Sequence, residues 1–245
     1  MSEPKRYFYE EVDGRIKARV NPEFEKLRRA KRYEIMLRYS KIPQDYWDYP
    51  FGTFDENMKV SKESFWNARE YARNPKAERF MNVSLYLHGP NSSGKTTVAC
   101  AIGMEFIKRG MYVKYVHAGV LIQTLMTAIS WGDSGDAARE SVKEFDICDL
   151  IIIDDAFDDK KVLKYKNESG DMQVQAWDTF FRSRISNGTR FVITSNKKLI
   201  DLSHAYSPSL YELIARNSRE LLFEDKILLI KKSKNAGIFL EKPPT

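Results

Sequence analysis

Residues 84–96 read SLYLHGPNSSGKT, a β-rich run that leads into a glycine-rich loop. The loop matches the pattern G-x-x-x-x-G-K-[ST] at every fixed position, with the residues Gly89, Pro90, Asn91, Ser92, Ser93, Gly94, Lys95 and Thr96. Its glycines let successive backbone N–H groups point at one phosphate, and the helix that follows adds its positive N-terminal end. We therefore predict a nucleotide phosphate site that extends to Thr97, with Lys95 at the β and γ phosphates and Thr96 on Mg²⁺.

Two later apolar runs end in polar side chains that suit the same site. Residues 150–155 read LIIIDD, and residues 191–196 read FVITSN. A buried strand that ends in an acid is expected to place Asp154 beside the phosphate loop of a neighbouring parallel strand, where it holds the Mg²⁺. Asp155 would polarise the attacking water. Asn196 would orient that water, although asparagine is also an ordinary turn residue.

Between Val83 and Ile230 short β-rich runs alternate with longer helical stretches, which predicts an α/β fold around a five-stranded parallel sheet. The predicted strands are Ser84–His88, Tyr112–His117, Leu150–Asp154, Phe191–Ser195 and Ile227–Lys231. The predicted helices are Lys95–Arg109, Val120–Ile129, Met172–Ser186 and Ser209–Glu220. The composition of residues 131–135 and 158–170 indicates polar loops, the second of them long enough to be mobile.

Composition sets the class of protein. The 245 residues are 42% hydrophobic and 30% charged, as in a soluble globular domain, and the longest apolar runs fall far short of a membrane span. Residues 1–14 lack an apolar stretch fit for a signal peptide, so we expect a cytoplasmic or nucleoid-associated protein without a membrane partner. The net charge of +6 suits an anionic partner. Cys100 and Cys148 are expected to be buried thiols.

The N-terminal region is predicted to be a small helical appendage. Asn21 followed by Pro22 is typical of a helix start, and the helix that follows has one apolar face and one basic face. Residues 42–54, rich in proline and aromatics, are expected to pack irregularly on the main domain. We accordingly divide the chain into an N-terminal segment (1–50), a main domain (51–232) and a C-terminal tail (233–245).

Over about residues 50–232 the chain resembles the AAA+ ATPases, and more closely the DnaC/DnaI-type replicative helicase loaders and their relative IstB, a transposition helper ATPase. The resemblance is carried by FDENMKVSKESFWNAREYA (54–72), the glycine-rich loop, LIIIDDAF (150–157), RFVITSN (190–196) and LYELIARNSRELL (210–222). It implies a three-layer P-loop NTPase fold. It makes Lys95 and Thr96 Walker A residues, Asp154 and Asp155 the Walker B pair, and Asn196 the sensor I residue.

The same resemblance implies an arginine finger, supplied to a neighbouring subunit by Arg216, with Arg219 and Arg184 as competing candidates. Asp155 stands where the family usually has glutamate, which implies slow ATP hydrolysis. The N-terminal segment has no zinc-binding cysteines, although many loaders carry them there. Only a short stretch follows Ile230, so no C-terminal helical lid is expected.

The leading functional hypothesis is an ATP- and Mg²⁺-dependent loader that places a hexameric replicative helicase on single-stranded DNA and forms a homo-oligomer there. The N-terminal helix would contact the helicase, and basic residues would contact DNA phosphates. Tyr115 and Trp131 are more readily explained as packed side chains than as platforms for DNA bases. The alternatives are an IstB-like transposition helper on duplex DNA, a small-molecule P-loop kinase, and a module that binds ATP without turnover.

Overall fold

The computed structural model describes residues 4–51, 62–129, 132–157 and 168–224. Its strands are β1 (Tyr7–Val12), β2 (Arg15–Val20), β3 (Ser84–His88), β4 (Val113–His117), β5 (Leu150–Asp154), β6 (Arg190–Ser195) and β7 (Ser218–Leu222). Its α-helices are α1 (Pro22–Tyr39), α2 (Lys62–Arg73), α3 (Lys95–Lys108), α4 (Ala118–Ala128), α5 (Asp133–Lys143), α6 (Glu168–Ser186), α7 (Leu202–Ala205) and α8 (Pro208–Asn217). None of the helices in these ranges is both long and apolar enough to cross a membrane.

The main sheet has five strands in the order β4-β5-β6-β3-β7, and all its pairings are parallel. The predicted five-stranded parallel sheet is therefore confirmed. Parallel strands carry their C-terminal ends to one edge, where loops with binding residues collect. The residues that follow β3, β5 and β6 consequently meet at the same edge of the sheet.

Helices cover both faces of this sheet and complete the three predicted layers. Side chains alternate along each strand, so that Leu85 and Leu87 join the core beneath α1, α2 and α3, while Tyr86 joins the core beneath α4, α6 and α8. In β5 the same alternation places Ile152 in the core beneath α1, α2 and α3, and Ile151 in the core beneath α4, α6 and α8. Because both faces of β3, β5 and β6 are buried, each of these three strands contains a continuous apolar run.

The N-terminal segment differs from the helical appendage predicted for it. The helix start is confirmed, since Asn21 Oδ1 accepts a hydrogen bond of 3.0 Å from the Glu23 N–H and Pro22 opens α1. However, an antiparallel hairpin of β1 and β2 precedes the helix. The C-terminal end of α1 is not separate from the main domain, because Met36 and Leu37 are buried in the core beneath α3. The boundary near residue 50 stays a prediction.

The irregular segment after α1 packs on the main domain, as predicted for residues 42–54. Over the part that the structure describes, which ends at Phe51, it forms a 3-10 turn at Gln44–Tyr46. Ile42 and Phe51 are both buried in the core beneath α3. Residues 52–54 lie outside the described ranges.

The C-terminal end of the predicted helix Ser209–Glu220 was wrong. The observed edge strand is Ser218–Leu222, which pairs with β3, whereas the sequence pattern placed most of it in a helix ending at Glu220. The helix ends earlier because Ser218 is already extended, and its hydroxyl donates to the Ile214 carbonyl at 2.6 Å. A short run of mixed polar and apolar residues fits both the helical and the strand periodicity. Pairing with β3 therefore decides that this run forms a strand. The predicted strand Ile227–Lys231, the tail and the expected absence of a lid lie outside the described residues.

A second correction concerns residues 131–135, which were predicted to form a loop. Within that range α5 begins at Asp133, after Gly132 with a φ of +91°. Trp131 and most of the polar segment 158–170 lie outside the described residues, and residues 168–170 open α6. Cys100 and Cys148 are buried free thiols, as expected.

Candidate nucleotide-binding site

The glycine-rich loop connects β3 to α3 with backbone conformations that its sequence makes possible. Gly89 has a φ of +147°, and a Cβ placed there would lie 1.9 Å from the carbonyl oxygen of Phe223. Only glycine fits at that position. Gly94, with a φ of +83°, is the N-cap of α3, and Ser92 also adopts a positive φ. The loop thus exposes Pro90, Asn91 and Ser92 directly above the N-terminus of α3.

The Lys95 side chain is buried. Its ammonium group donates hydrogen bonds to the carbonyl oxygens of Gly89 at 2.9 Å and Pro90 at 2.7 Å. A third bond of 3.0 Å reaches Asn196 Oδ1, and Ser93 Oγ lies 3.4 Å away. Lys95 therefore holds the loop together in this state, and a bound phosphate would compete for the same ammonium group.

The Asp154 carboxylate accepts hydrogen bonds from three hydroxyl groups. Thr96 Oγ1 donates to Oδ1 at 2.8 Å, and Thr194 Oγ1 donates to the same oxygen at 2.7 Å. The Tyr115 hydroxyl donates to Oδ2 at 2.7 Å. The two residues predicted to hold Mg²⁺, Thr96 and Asp154, are thus in direct contact. Their hydroxyl and carboxylate oxygens are the ligand types that Mg²⁺ prefers, so the pair fits that ion.

The position of β6 explains how the acidic strand end and the loop meet. We expected β5 to lie next to β3, but β6 is inserted between them. Its C-terminal end supplies Thr194 to Asp154 and, two residues later, Asn196 to Lys95. The phosphate loop, the metal-binding acid and the amide therefore belong to one hydrogen-bonded network that crosses three adjacent strands.

Asp155 stands at the mouth of the site in a conformation that is uncommon for a residue with a side chain. Its φ is +52°, and its N–H donates to Thr194 Oγ1 at 2.9 Å. The carboxylate is about half exposed, and its Oδ2 lies 3.7 Å from His117 Nε2. His117 Nδ1 accepts the Gly119 N–H at 3.1 Å, so a neutral His117 carries its proton on Nε2, toward Asp155. The Asp155 carboxylate is therefore accessible to solvent.

Tyr115 and Thr194 are functional residues that the sequence analysis missed. Burial, the negative charge of Asp154 and the hydrogen bond to it raise the pKa of Tyr115 well above its usual value. The neutral phenol therefore remains a donor to Asp154 throughout the physiological range. Tyr46 lies nearby, and its pKa is raised to about 12, mainly by burial and also by the charges of Cys100 and Asp154. Thr194 lies within the run RFVITSN, whereas no sequence motif marks Tyr115 or Tyr46, which come from other elements.

The three arginines that were considered for a neighbouring subunit have different environments. Arg216 lies in the last turn of α8, and its side chain is 78% exposed although it pairs with Glu212 at 3.1 Å. Arg219 lies on β7 rather than on the helix predicted for it, with its guanidinium 5.7 Å from the centre of the Phe80 ring. Arg184 is buried and paired with Asp146 at 2.7 Å, so it is directed into its own chain.

The surroundings of the loop also fit a nucleoside triphosphate. The N-terminus of α3, the exposed loop backbone and the Lys95 ammonium provide donors and positive charge for phosphates. No cluster of three or more histidine, cysteine or carboxylate ligands occurs in the described part of the chain. Mg²⁺ is usually held by one or two protein ligands together with the phosphates of the substrate, and the contact between Thr96 and Asp154 fits such a site.

Comparison with solved structures shows the same fold in replication proteins. The DnaC helicase loader matches with a TM-score of 0.61 and 18% identity over 74% of this chain and 99% of its own. DnaI matches with a TM-score of 0.58 and 18% identity over 74% of this chain and 94% of its own. The replication initiator DnaA, bound to AMPPCP and single-stranded DNA, matches with a TM-score of 0.55 and 17% identity over 71% of this chain and 50% of its own.

Comparison of the sequence with curated proteins gives no significant match. A family model does match, and it describes an IstB-like ATP-binding protein over residues 20–207. That range contains the glycine-rich loop, the Asp154–Asp155 pair and Asn196, and it covers most of the chain. On this evidence the protein belongs to the family of IstB-like ATP-binding proteins.

Proposed function

We propose that this protein uses ATP and Mg²⁺ to load a hexameric replicative helicase onto single-stranded DNA, in the cytoplasm at the nucleoid. The observation that carries the proposal is the network that connects Lys95 through Asn196 and β6 to Asp154. Such a network is suited to a site whose state depends on the γ-phosphate. The helicase-loader part of the proposal is supported by the likeness to DnaC and DnaI over nearly the whole of their chains.

The network suggests how ATP would change the protein. A γ-phosphate would draw the Lys95 ammonium away from the Gly89 and Pro90 carbonyls and from Asn196. The Asn196 amide would then be available to orient the attacking water, with Asp155 polarising it. Loss of the phosphate after hydrolysis would restore the hydrogen bonds within the loop. The protein would thereby alternate between two arrangements of β6 relative to the loop as it binds and hydrolyses ATP.

Loading is tested with the purified hexameric helicase of the host cell and a single-stranded circular DNA that carries an annealed oligonucleotide. We expect release of the oligonucleotide to rise when the protein and ATP are both present. Lys95→Ala should give no stimulation, and Lys108→Ala, at the exposed end of the same helix, should behave as wild type. An equal rate with and without the protein would contradict helicase loading while leaving the ATP site unaffected.

The helicase contact is assigned to exposed basic side chains in the first half of α1. Lys26 and Arg29 are exposed there. We expect Lys26→Glu/Arg29→Glu to reduce helicase binding at least tenfold without altering ATP affinity, whereas Lys76→Glu, in the loop after α2, should change neither. Deleting residues 1–50 is not a suitable test, because it removes Met36 and Leu37 from the core.

DNA contact is proposed to use phosphates rather than bases. Affinity for single-stranded DNA should be independent of sequence and fall with salt, with a log–log slope of about −0.7 for each phosphate contacted. A fluorescence-anisotropy titration at several salt concentrations measures this slope. An affinity that does not change with salt would contradict DNA binding through phosphates.

Family membership supports a second candidate, a transposition helper that acts on duplex DNA. Competition between single-stranded and duplex DNA distinguishes the two, because a loader should favour the single strand in the presence of ATP. A small-molecule kinase is the third candidate, and it would transfer the γ-phosphate to a nucleoside or nucleotide. With radiolabelled ATP we expect inorganic phosphate as the labelled product.

A further inference from the structure

The N-terminal hairpin has an apolar face that no described part of the chain covers. Residues directly opposite in an antiparallel pair lie on the same face of the sheet. In β1 and β2 this alignment groups Tyr7 with Val20, Tyr9 with Ala18, and Glu11 with Ile16. We call these six residues the hairpin face. Tyr9 is 70% exposed and Ile16 is 77% exposed, although both are large apolar side chains.

Such a hairpin needs a partner surface. An isolated two-stranded hairpin is marginally stable in water, and it becomes stable when an apolar face packs against another element. Glu11 is the only charged residue on the hairpin face. The surface that covers the face is therefore expected to be apolar and to carry positive charge opposite Glu11.

The same chain exposes a groove with these properties. It has a volume of about 500 Å³ and lies between the second half of α1 and the residues that precede β4 and β5. Its apolar lining includes Ile35, Tyr39, Tyr112 and Ile147, of which Ile35 and Ile147 are mostly exposed. Arg28 and Arg32 lie at its edge. We call this surface the α1 groove.

The hairpin does not fill the α1 groove of its own chain in this structure. One residue separates the hairpin from α1. Because a helix rises about 1.5 Å per residue, the middle of the groove lies on the order of 15 Å from the start of α1 along the helix axis. Both surfaces are exposed in the same structure. No described part of the chain fills the groove, and the occupant that we consider is the hairpin of a second copy. The apolar lining argues against nucleic acid, whose accessible backbone is charged.

We propose that the hairpin face of one copy docks into the α1 groove of a second copy, with Glu11 opposite Arg28 and Arg32. The contact joins two different surfaces, so it is heterologous, and repeated use leads either to a closed ring or to an open filament. The groove lies beside the N-terminal ends of β4 and β5, at the edge of the sheet opposite the nucleotide site. The contact is consequently separate from the nucleotide site.

The test measures self-association of the full chain without nucleotide, by sedimentation velocity over a range of concentrations. Tyr9→Lys places a cation on the hairpin face, against the cationic edge of the groove. Ile147→Lys places a cation inside the apolar groove. Each substitution alone should weaken self-association by at least about tenfold, because an unpaired charge is costly to bury. Met81→Lys, at an equally exposed apolar residue outside both surfaces, should associate as wild type.

Mixing the two variants distinguishes a heterologous contact from other kinds of contact between subunits. Tyr9→Lys retains a normal groove and Ile147→Lys retains a normal hairpin, so an equimolar mixture should form a complex that stops at two subunits. Circular dichroism and nucleotide affinity should match wild type for all variants, which separates a lost contact from a lost fold. A wild-type protein that stays monomeric up to roughly 1 mM, or a mixture that forms no dimer, would overturn the proposal.

Discussion

Lys95 Nζ donates a hydrogen bond of 3.0 Å to Asn196 Oδ1, and the two residues are 101 positions apart in the sequence. This bond joins the phosphate loop after β3 to the end of β6, the strand adjacent to it. It places the expected sensor of the γ-phosphate in contact with the lysine expected to bind that phosphate.

Lys95→Ala should lower ATP affinity by about a hundredfold or more, because it removes a charged donor to phosphate worth about 1.5–3 kcal/mol per hydrogen bond. It also leaves the Gly89 and Pro90 carbonyls without that donor, so the apo protein should be destabilised by about 1–2 kcal/mol. Titration with a fluorescent nucleotide and urea unfolding measure the two effects. Wild-type affinity in the folded variant would contradict the phosphate-site assignment.

Asn196→Ala should reduce ATP turnover by about 10–100-fold and change ATP affinity much less, because the amide orients water rather than binding the nucleotide. Asn196→Asp is the matched variant. It retains an oxygen for Lys95 but loses the N–H donors, so it should be as slow as Asn196→Ala. Normal turnover in Asn196→Asp would mean that the residue only supports the Lys95 side chain.

Asp155→Asn should lower turnover by at least about a hundredfold with little change in ATP binding, because it removes the proposed general base. Asp155→Glu, which lengthens the side chain by one methylene, should raise turnover several-fold if the carboxylate of Asp155 stops short of the water. Phosphate-release kinetics at saturating ATP measure both variants. A slower Asp155→Glu enzyme would show that the site is adapted to the shorter acid near His117.

Arg216→Ala should bind ATP normally and fail to hydrolyse it alone if Arg216 reaches a neighbouring subunit, where such a residue contributes about 10³-fold or more to turnover. A mixture with Lys95→Ala should recover part of the activity, since one variant supplies an intact pocket and the other an intact arginine. Arg219→Ala, which removes the competing arginine on β7, is the comparison variant. Full activity of Arg216→Ala alone would exclude Arg216 from this role.

His88 gives the fold a defined pH dependence. Its Nε2 lies 3.1 Å from Glu220 Oε1, and burial lowers its pKa below the model-peptide value of 6.5, against the opposing effect of Glu220. The unfolded chain therefore binds a proton more readily than the folded one. The resulting stabilisation is complete above about pH 6.5 and is lost as the pH falls through the lowered pKa.

Urea unfolding at pH 7.5 and 5.5 should consequently show lower stability at the acidic pH. His88→Gln should reduce this difference because glutamine does not titrate, whereas the exposed His204→Gln should leave it unchanged. An equal pH dependence in wild type and His88→Gln would show that other groups cause the acid sensitivity.

The sequence by itself determined the phosphate loop, the parallel α/β class and four of the five strands of the main sheet. These features depend on local chemistry. Glycines at fixed spacing allow the loop, and apolar runs of strand length produce strands buried on both faces. Asp154, Asp155 and Asn196 were identified because each directly follows or ends such a run.

Only the tertiary structure decided the rest. Most of the strand Ser218–Leu222 was assigned to a helix, because its short pattern fits both the helical and the strand periodicity until β3 provides a partner. The insertion of β6 between β3 and β5 is not encoded in any local segment, and it alone brings Thr194 to Asp154 and Asn196 to Lys95. The roles of Tyr115 and the burial of Lys95 likewise arise where separate elements meet, because hydrogen bonds between distant residues depend on strand order rather than on sequence spacing.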